Sequence, residues 1–599
     1  MSLAERVRAF PPRARLDRWA PMIVALVAVL VYANATVNGY VLDDRAIVAT
    51  NPLVTSASGI WQAFAHPYAP AVMGGGQYRP LTVSLFAFDW WVSGGDARWF
   101  HLVNVLWHAA ASVLVWMLAV ELLAPAAALG AALLFAVHPV HVEAVSNVVG
   151  RSECMAAVFV LAALLAHRRT RAWAPLLFAL ALLSKETGAV LLALVVLHDL
   201  LLADAPREAF RSRRWLYAGY AAVATSYAAA VLVVFRGIQF VTPAPVFHGA
   251  TVAERWLTFF RAVPEYARLL LVPASLSADY QPAVLDVVHS VTFGVVSGVL
   301  LASAVAAAIF IQRRRAPELS FALAWVPVAI APVANVLVVT GIMLAERTLY
   351  LPSVGVVLAA GWAIERYGAR APRAAGAVVA LVLLAFGVRT WTRTEVWHDS
   401  RTYALTLLSD HPESYRAHWV MGRVLASTGR TEEAEREYAA ARELFARDPV
   451  LWRESAELRL VTEDWNGATT MLLRSLALRP RDGGDLLRLA DVRYHAGDYA
   501  GALAAARQTL KVAPDSVRAA MVILAVAKAQ GDTVLADTTF ARMTRLHPDS
   551  WEMHLGYADV LLVKGDTTAA RAQADSAVEL SGGAPPAVAM QARARGTTR

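Results

Sequence analysis

The sequence has little cysteine and little charge. Cys154 is the single cysteine among 599 residues, which excludes an intrachain disulfide framework and any cysteine-built metal site. Charged residues make up 17% of the chain against 57% hydrophobic ones, and the mean hydropathy is +0.46. A soluble chain carries about a quarter charged residues, so much of this one must sit in lipid. Ionisable residues gather at the ends of the apolar runs, and no internal repeat is visible within them. A transporter path built from inverted halves would show the opposite on both counts. The formal charge of +8 does not indicate nucleic acid, because the basic residues cluster at span ends, where topology signals belong.

What is present falls into two regimes. Up to about Arg389 the chain alternates long apolar blocks with short arginine clusters, and from Trp391 onward it is rich in Glu, Asp, Arg and Ala. The N-terminal stretch carries Arg6, Arg8, Arg13, Arg15 and Arg18 before an apolar run from about Trp19 to Val37. That run is long enough to cross a bilayer and is read as a retained first helix rather than a cleaved signal. Further spans are expected near 100–122, 126–146, 154–167, 172–186, 187–203, 215–235, 287–311, 319–341, 350–365 and 374–390, eleven in all. With residues 1–18 in the cytoplasm, alternation puts Arg168, Arg169 and Arg171, then Arg207 to Arg214, Arg313 to Arg315, and Arg366 to Arg373 all inside, as the positive-inside rule requires. Everything after Arg389 is then extracytoplasmic, as are two long loops at 38–99 and 236–286. In the second loop, Trp256, Phe259, Phe260, Tyr266 and Leu269 recur at helical steps, which predicts an amphipathic helix in the headgroup layer.

After a linker and half-repeat at 391–414, the sequence repeats with a period of 34. Ala434, Ala468, Ala502, Ala536 and Ala570 form one series; Gly429, Gly497, Gly531 and Gly565 form a second, interrupted at Glu463; Pro412, Pro480, Pro514 and Pro548 form a third. Proline ends a helix, glycine makes the turn, and small alanine lets two helices pack closely. Three series in phase identify five tetratricopeptide repeats over 415–584, with a loosely ordered tail at 585–599. Such arrays bind peptides or protein partners and carry no chemistry in their backbone.

Chemistry is expected where ionisable groups collect at the extracytoplasmic ends of the spans. Asn38-Gly39-Tyr40-Val41-Leu42-Asp43-Asp44-Arg45 follows the first span, and Tyr78-Arg79-Pro80-Leu81 ends the same loop. His138-Pro139-Val140-His141-Val142-Glu143 leaves the third span, with Gly150-Arg151-Ser152-Glu153 just beyond. Ser184-Lys185-Glu186 and Ala345-Glu346-Arg347 lie at two further span ends. Acids and cations converging on one membrane face suit a substrate with a phosphate head and a lipid tail, the cations holding the phosphate. Gly74-Gly75-Gly76-Gln77 receives no functional reading.

These motifs, in this order, resemble the transmembrane and tetratricopeptide-repeat O-mannosyltransferases, whose membrane part is similar to polytopic glycosyltransferases of the GT-C fold class. The expected fold is therefore all-α: a GT-C-like membrane bundle over 19–390, then an extracytoplasmic α-solenoid. The resemblance implies transfer of a sugar, mannose in characterised members, from a polyprenyl-phosphate carrier to serine or threonine hydroxyls of proteins. It makes Asp44 and Asp43 the candidate bases, with Asp44 favoured, since a hydroxyl needs a carboxylate to take its proton. It places Arg347, Glu346, Arg151, Lys185, Glu186, His138, His141, Glu143, Tyr78 and Arg79 around substrate and phosphate. The two histidines with Glu143 have metal-binding composition, but the intervening proline and the lack of a fourth local ligand speak against a metal, and no cofactor is expected. The partners implied are the lipid-linked sugar, acceptor proteins at the repeats and the bilayer. The alanine- and arginine-rich composition suggests a prokaryote, hence an inner membrane with the repeats in the periplasm. The competing reading is a non-catalytic membrane scaffold for exported proteins, in which Asp43 and Asp44 have no role.

Overall fold

The computed structural model describes residues 15–69, 76–236, 245–282 and 284–596; Arg6, Arg8, Arg13, Gly74 and Gly75, singled out above, lie outside them. The described residues are all-α, and the chain divides into two compact units, Met1–Val424 and Leu425–Arg599. The division falls 34 residues after the last apolar block rather than at its end. Helix Ser400–Asp410 and the start of Tyr415–Ser427 belong with the first unit. They are fastened there by Arg393 to Asp410 (2.9 Å) and by the Ser414 hydroxyl donating to Asp279 (3.0 Å).

Each of the eleven apolar blocks carries an α-helix, but by length and composition only five described helices can cross a membrane: Ala97–Ala119, Val148–Arg168, Arg214–Val234, Phe293–Gln312 and Pro372–Trp397. A sixth results if Pro125–Ala136 and Pro139–Ser146, bent by 44°, form one broken span. The other blocks are short or interrupted. The first passes from α-helix to a 3-10 turn after Val31, and the one from Pro317 does so after Ile330. Proline at the first helical turn starts many of these segments, including Pro80, Pro125, Pro317, Pro352 and Pro372, since its missing N–H costs nothing there.

The first long loop is not all loop: Pro80–Ser93 is a helix hidden from the pattern by Asp89. In the second, Val252–Leu271 is the expected amphipathic helix, opened by a capping box between Thr251 and Glu254. It packs on Phe293–Gln312 so closely that a Cβ on Gly298 would stand 1.8 Å from the Phe260 carbonyl. Small residues permit such approach between membrane helices.

The second unit contains four helical hairpins, Pro449–Val461 with Trp465–Leu478, Gly483–His495 with Tyr499–Val512, Val517–Gln530 with Thr533–Leu546, and Trp551–Lys564 with Thr567–Leu580. Thr431–Leu444 precedes them in the chain. The periodic alanines are buried. A further series passed unread: Asp464, Asp498, Asp532 and Asp566 cap the second helix of each hairpin, accepting from the backbone N–H three residues on at 2.8, 2.9, 2.9 and 3.0 Å. The tail, expected to be loosely ordered, is helical over 585–595. The helix Pro585–Arg595 packs Met590 and Ala594 against Ala558, Leu561, Ala570 and Ala574.

The gap in the glycine series has a measurable cost. Gly497, Gly531 and Gly565 adopt φ of 79°, 68° and 84°, and Glu463 takes the same left-handed position at 55°. A residue with a Cβ is disfavoured there by about 1–2 kcal/mol, partly offset by glycine's greater freedom when unfolded. Glu463→Gly is expected to stabilise the second unit by up to about 1 kcal/mol, read as a raised urea midpoint with unchanged slope.

Candidate active site

Six segments bring ionisable side chains together in the first unit: the turn after the first helix, the start of helix Pro80–Ser93, the short helix Val142–Ser146, the start of helix Arg151–Arg168, the turn around Lys185, and the 3-10 turn Glu346–Leu349. Arg79 grips Glu186 with two bonds, Nε to Oε2 at 2.9 Å and Nη2 to Oε1 at 2.6 Å, a fork that fixes both planes. Its guanidinium also lies 4.8 Å from the centre of the Tyr68 ring. Lys185 pairs with Glu153, and Arg347 pairs with Glu143 through its guanidinium and through its backbone N–H (2.8 Å). Lys185 is within electrostatic reach of Arg79 and Arg347, so the three pairs form one cluster.

Asp43 is the exception. It is exposed, and among the described residues no ion-pair or hydrogen-bond partner holds its carboxylate. It nevertheless lies close to the cluster. Burial alone would lower the Arg347 pKa, but the carboxylates of Glu143, Asp43 and Glu153 hold it above its ordinary value. Of the three cations Arg347 is also the most accessible, its side chain 26% exposed against 8% for Arg79 and 7% for Lys185. It is the one best placed to exchange a carboxylate for an incoming phosphate.

Asp44 has a different part. Its carboxylate is fully buried and accepts from the Val41 N–H at 3.1 Å and the Val149 N–H at 2.9 Å. It closes the turn that presents Asp43 and latches it to the 145–149 segment. Burial pushes the Asp44 carboxyl up to about 7 against the pull of those N–H groups. Between 3.8 and about 7 the folded chain keeps a proton that the unfolded chain has released, so this residue's contribution to stability falls as pH rises through that window. Thermal unfolding from about pH 4 to about pH 8 should show the decline. Asp44→Asn, which cannot ionise, should flatten it while costing about 1–3 kcal/mol for the N–H it can no longer accept.

Arg151 sits outside the cluster. It is fully buried between the rings of Phe86 and Phe100, pairs with Asp89, and donates to Asn104 Oδ1 (2.7 Å) and the Phe100 carbonyl (2.9 Å). Asn104 in turn donates to the carbonyls of Val145, Asn147 and Val148, the segment that Asp44 grips. Arg151 therefore supports the acidic turn from behind and has no reach to a phosphate. Asp89 was missed because it lay in an expected loop. An acid inside Leu85-Phe86-Ala87-Phe88-Asp89-Trp90-Trp91 was the available signal.

The remaining candidates are committed to the protein itself. His138 Nδ1 accepts from the Val140 N–H, which leaves its proton on Nε2, 3.1 Å from the Leu270 carbonyl. His141 Nε2 meets the Ser353 hydroxyl at 2.8 Å. With Glu143 spent on Arg347, these three side chains diverge and do not converge on a common ion. Tyr78 donates to the Phe64 carbonyl at 2.8 Å, and Glu346 accepts from Ser277 and Tyr280.

A second buried polar group lies near the other end of helix Arg151–Arg168, roughly 24 Å away at 1.5 Å per residue. His167, His198 and Asp199 have their ligand atoms within 4.8 Å of one another. Arg213 and His198 share one Asp199 oxygen, while Tyr217 (2.8 Å) and His167 (3.2 Å) share the other. That carboxylate is already neutralised and fully coordinated by donors, and it serves to lock three helices. It also shows that charge does occur within the apolar blocks, where it is paired.

Residues 85–233 match the family described as dolichyl-phosphate-mannose-protein mannosyltransferase, and 394–449, 487–536 and 526–585 match the tetratricopeptide repeat. A protein O-mannosyl-transferase of Caenorhabditis elegans is 26% identical over 431 residues, covering 70% of this chain and 61% of that one. The human protein O-mannosyl-transferases TMTC3 and TMTC4 are 25% and 28% identical, covering 69% and 70% of this chain and 54% and 66% of their own lengths. The chain thus spans between about half and two thirds of the curated relatives it matches. With a mannosyltransferase segment in its membrane part and tetratricopeptide repeats behind it, the chain is similar in order and content to the transmembrane and tetratricopeptide-repeat protein O-mannosyltransferases.

Proposed function

We propose that this protein is a membrane glycosyltransferase that moves a sugar, mannose by its family resemblance, from a polyprenyl-phosphate carrier to serine or threonine hydroxyls of proteins on the extracytoplasmic side. The observation that carries this reading is the exposed carboxylate of Asp43 within electrostatic reach of Arg347, whose guanidinium belongs to a cluster of three cations, each held by its own carboxylate.

A serine hydroxyl is a poor nucleophile at neutral pH and needs a base as it attacks the anomeric carbon. Asp43 takes that proton, the bond from the sugar to phosphate oxygen breaks, and the lipid phosphate leaves with the electron pair. The leaving group then needs positive charge rather than a proton. Arg347 supplies it directly, with Lys185 and Arg79 behind. Asp44, favoured as the base from sequence, instead holds the turn. Glu143, Glu153 and Glu186 keep the cations pre-aimed, so that little reorganisation accompanies the departure of the phosphate.

The orientation follows from the arginine clusters, which put the N-terminus in the cytoplasm and the acidic turn and repeats outside. The repeats hold acceptor or partner protein, as helical arrays of this kind do. Glycopeptide mass spectrometry of exported proteins in the native host tests the proposal. An Asp43→Asn strain should lose hexose on serine and threonine, and an unchanged glycopeptide profile would leave the scaffold reading in its place.

A further inference from the structure

The segment between helices Val252–Leu271 and Phe293–Gln312 received no reading from the sequence, yet it touches both the Arg347 turn and the first helices after the membrane blocks. Arg268 and Arg389 pin its start through the carbonyls of Ser275 (2.8 Å) and Ala274 (2.9 Å). Further on, Asp279 accepts from the Gln281 N–H (3.2 Å) and the Ser414 hydroxyl (3.0 Å) and lies 3.4 Å from Arg416. The Pro282 carbonyl accepts from the Tyr415 N–H at 3.4 Å. Between these anchors, Glu346 Oε1 accepts both the Ser277 N–H at 2.6 Å and the Tyr280 hydroxyl at 2.8 Å.

The geometry of Glu346 is informative. Its side chain is buried, and both donors fall on one oxygen, the pattern of a carbonyl acceptor whose partner oxygen carries the proton. Of the charged groups around it, Arg393 is already bonded to Asp410 at 2.9 Å, Arg389 donates to the Ala274 carbonyl at 2.9 Å, and the Glu143 carboxylate carries like charge. The next residue is Arg347, whose backbone and guanidinium both hold Glu143. Adjacent residues of one short turn therefore bond to different partners, Glu346 to the loop and Arg347 to the cluster.

We propose that Glu346 is a positioning residue, held as the neutral acid, that clamps the 274–282 segment onto the Arg347 turn and so fixes the guanidinium beside Asp43. Through Asp279 the same segment braces that turn against Ser414–Arg416, where the repeat helices begin. Burial pushes the Glu346 carboxyl up to about 8, in keeping with a protonated clamp.

That the clamp acts on sugar transfer rests on the transferase reading above; the clamp itself does not. The test uses the full chain in lipid nanodiscs, comparing wild type with Glu346→Gln, Glu346→Ala and Tyr280→Phe. Amide hydrogen exchange of 274–282 and 343–350 is measured, together with KM and kcat for a polyprenyl-phosphate sugar. Glutamine offers the same single oxygen to both donors, so Glu346→Gln should retain the protection and most of the donor affinity. Glu346→Ala should speed exchange in both segments and raise the donor KM by about tenfold, the equivalent of one lost buried hydrogen bond. Should the alanine variant fail to fold, Tyr280→Phe removes one donor alone and should still loosen residues 343–350. Glutamine proving as damaging as alanine, or exchange unchanged in both Glu346→Ala and Tyr280→Phe, would overturn the proposal. A wild type that transfers no sugar while the exchange differences persist would refute the transferase reading and support the clamp.

Discussion

Replacing Asp43 by asparagine is expected to lower sugar transfer by about 10²- to 10⁴-fold, the usual contribution of a general base, with the donor KM changed little. Access separates the two acids. Asp43 is exposed beside Arg347, whereas both oxygens of Asp44 are taken by backbone N–H groups. Asparagine at 43 keeps size and polarity and removes only the ability to accept a proton. The Asp44→Asn variant should behave differently, losing stability more than intrinsic rate, because its role is to hold the turn. The split can be read by comparing kcat with thermal midpoint for the two variants under one set of conditions. Equal loss of rate with equal loss of stability in both would remove the distinction drawn between the acids.

The second large effect is on folding. Asp89→Ala leaves Arg151 fully buried, with its guanidinium held only by the Asn104 and Phe100 oxygens and the two phenylalanine rings. Breaking a buried pair from one side costs about 3–5 kcal/mol, because the remaining charge has no compensation. The loss should be visible as a lowered thermal midpoint in detergent and poor accumulation in the membrane. Converting both residues together, Asp89→Leu with Arg151→Met, should recover much of that loss, since a buried pair is often matched by apolar residues of similar volume. Recovery would be incomplete, as Asn104 would lose the Arg151 Nε donor that helps set its contacts with the 145–148 segment.

Much of this architecture was legible in the sequence, and the reasons are physical. Lipid demands long apolar helices, so the spans Ala97–Ala119, Arg214–Val234 and Phe293–Gln312 stood out. The array demands one alanine per hairpin at fixed spacing, so the repeats stood out too. What was not legible is direction. Adjacent residues such as Asp43 and Asp44, or Glu346 and Arg347, have the same local sequence environment but different surroundings, set by segments more than 60 residues away, as for Ser277 and Glu346. Arg151 read as a phosphate ligand because its partner Asp89 sat in what looked like loop. Helix Pro80–Ser93 escaped notice for the same reason: the acid that makes it functional interrupts the apolar run that would have announced it.

The account stands most directly on whether this acid and these cations move a sugar. Purified protein incubated with a radiolabelled polyprenyl-phosphate mannose and a serine-rich acceptor peptide should place label on the peptide, with transfer lost in Asp43→Asn and the donor KM sharply raised in Arg347→Ala. Label transferred equally well by wild type and both variants, or by none of the three with the donor demonstrably bound, would contradict it.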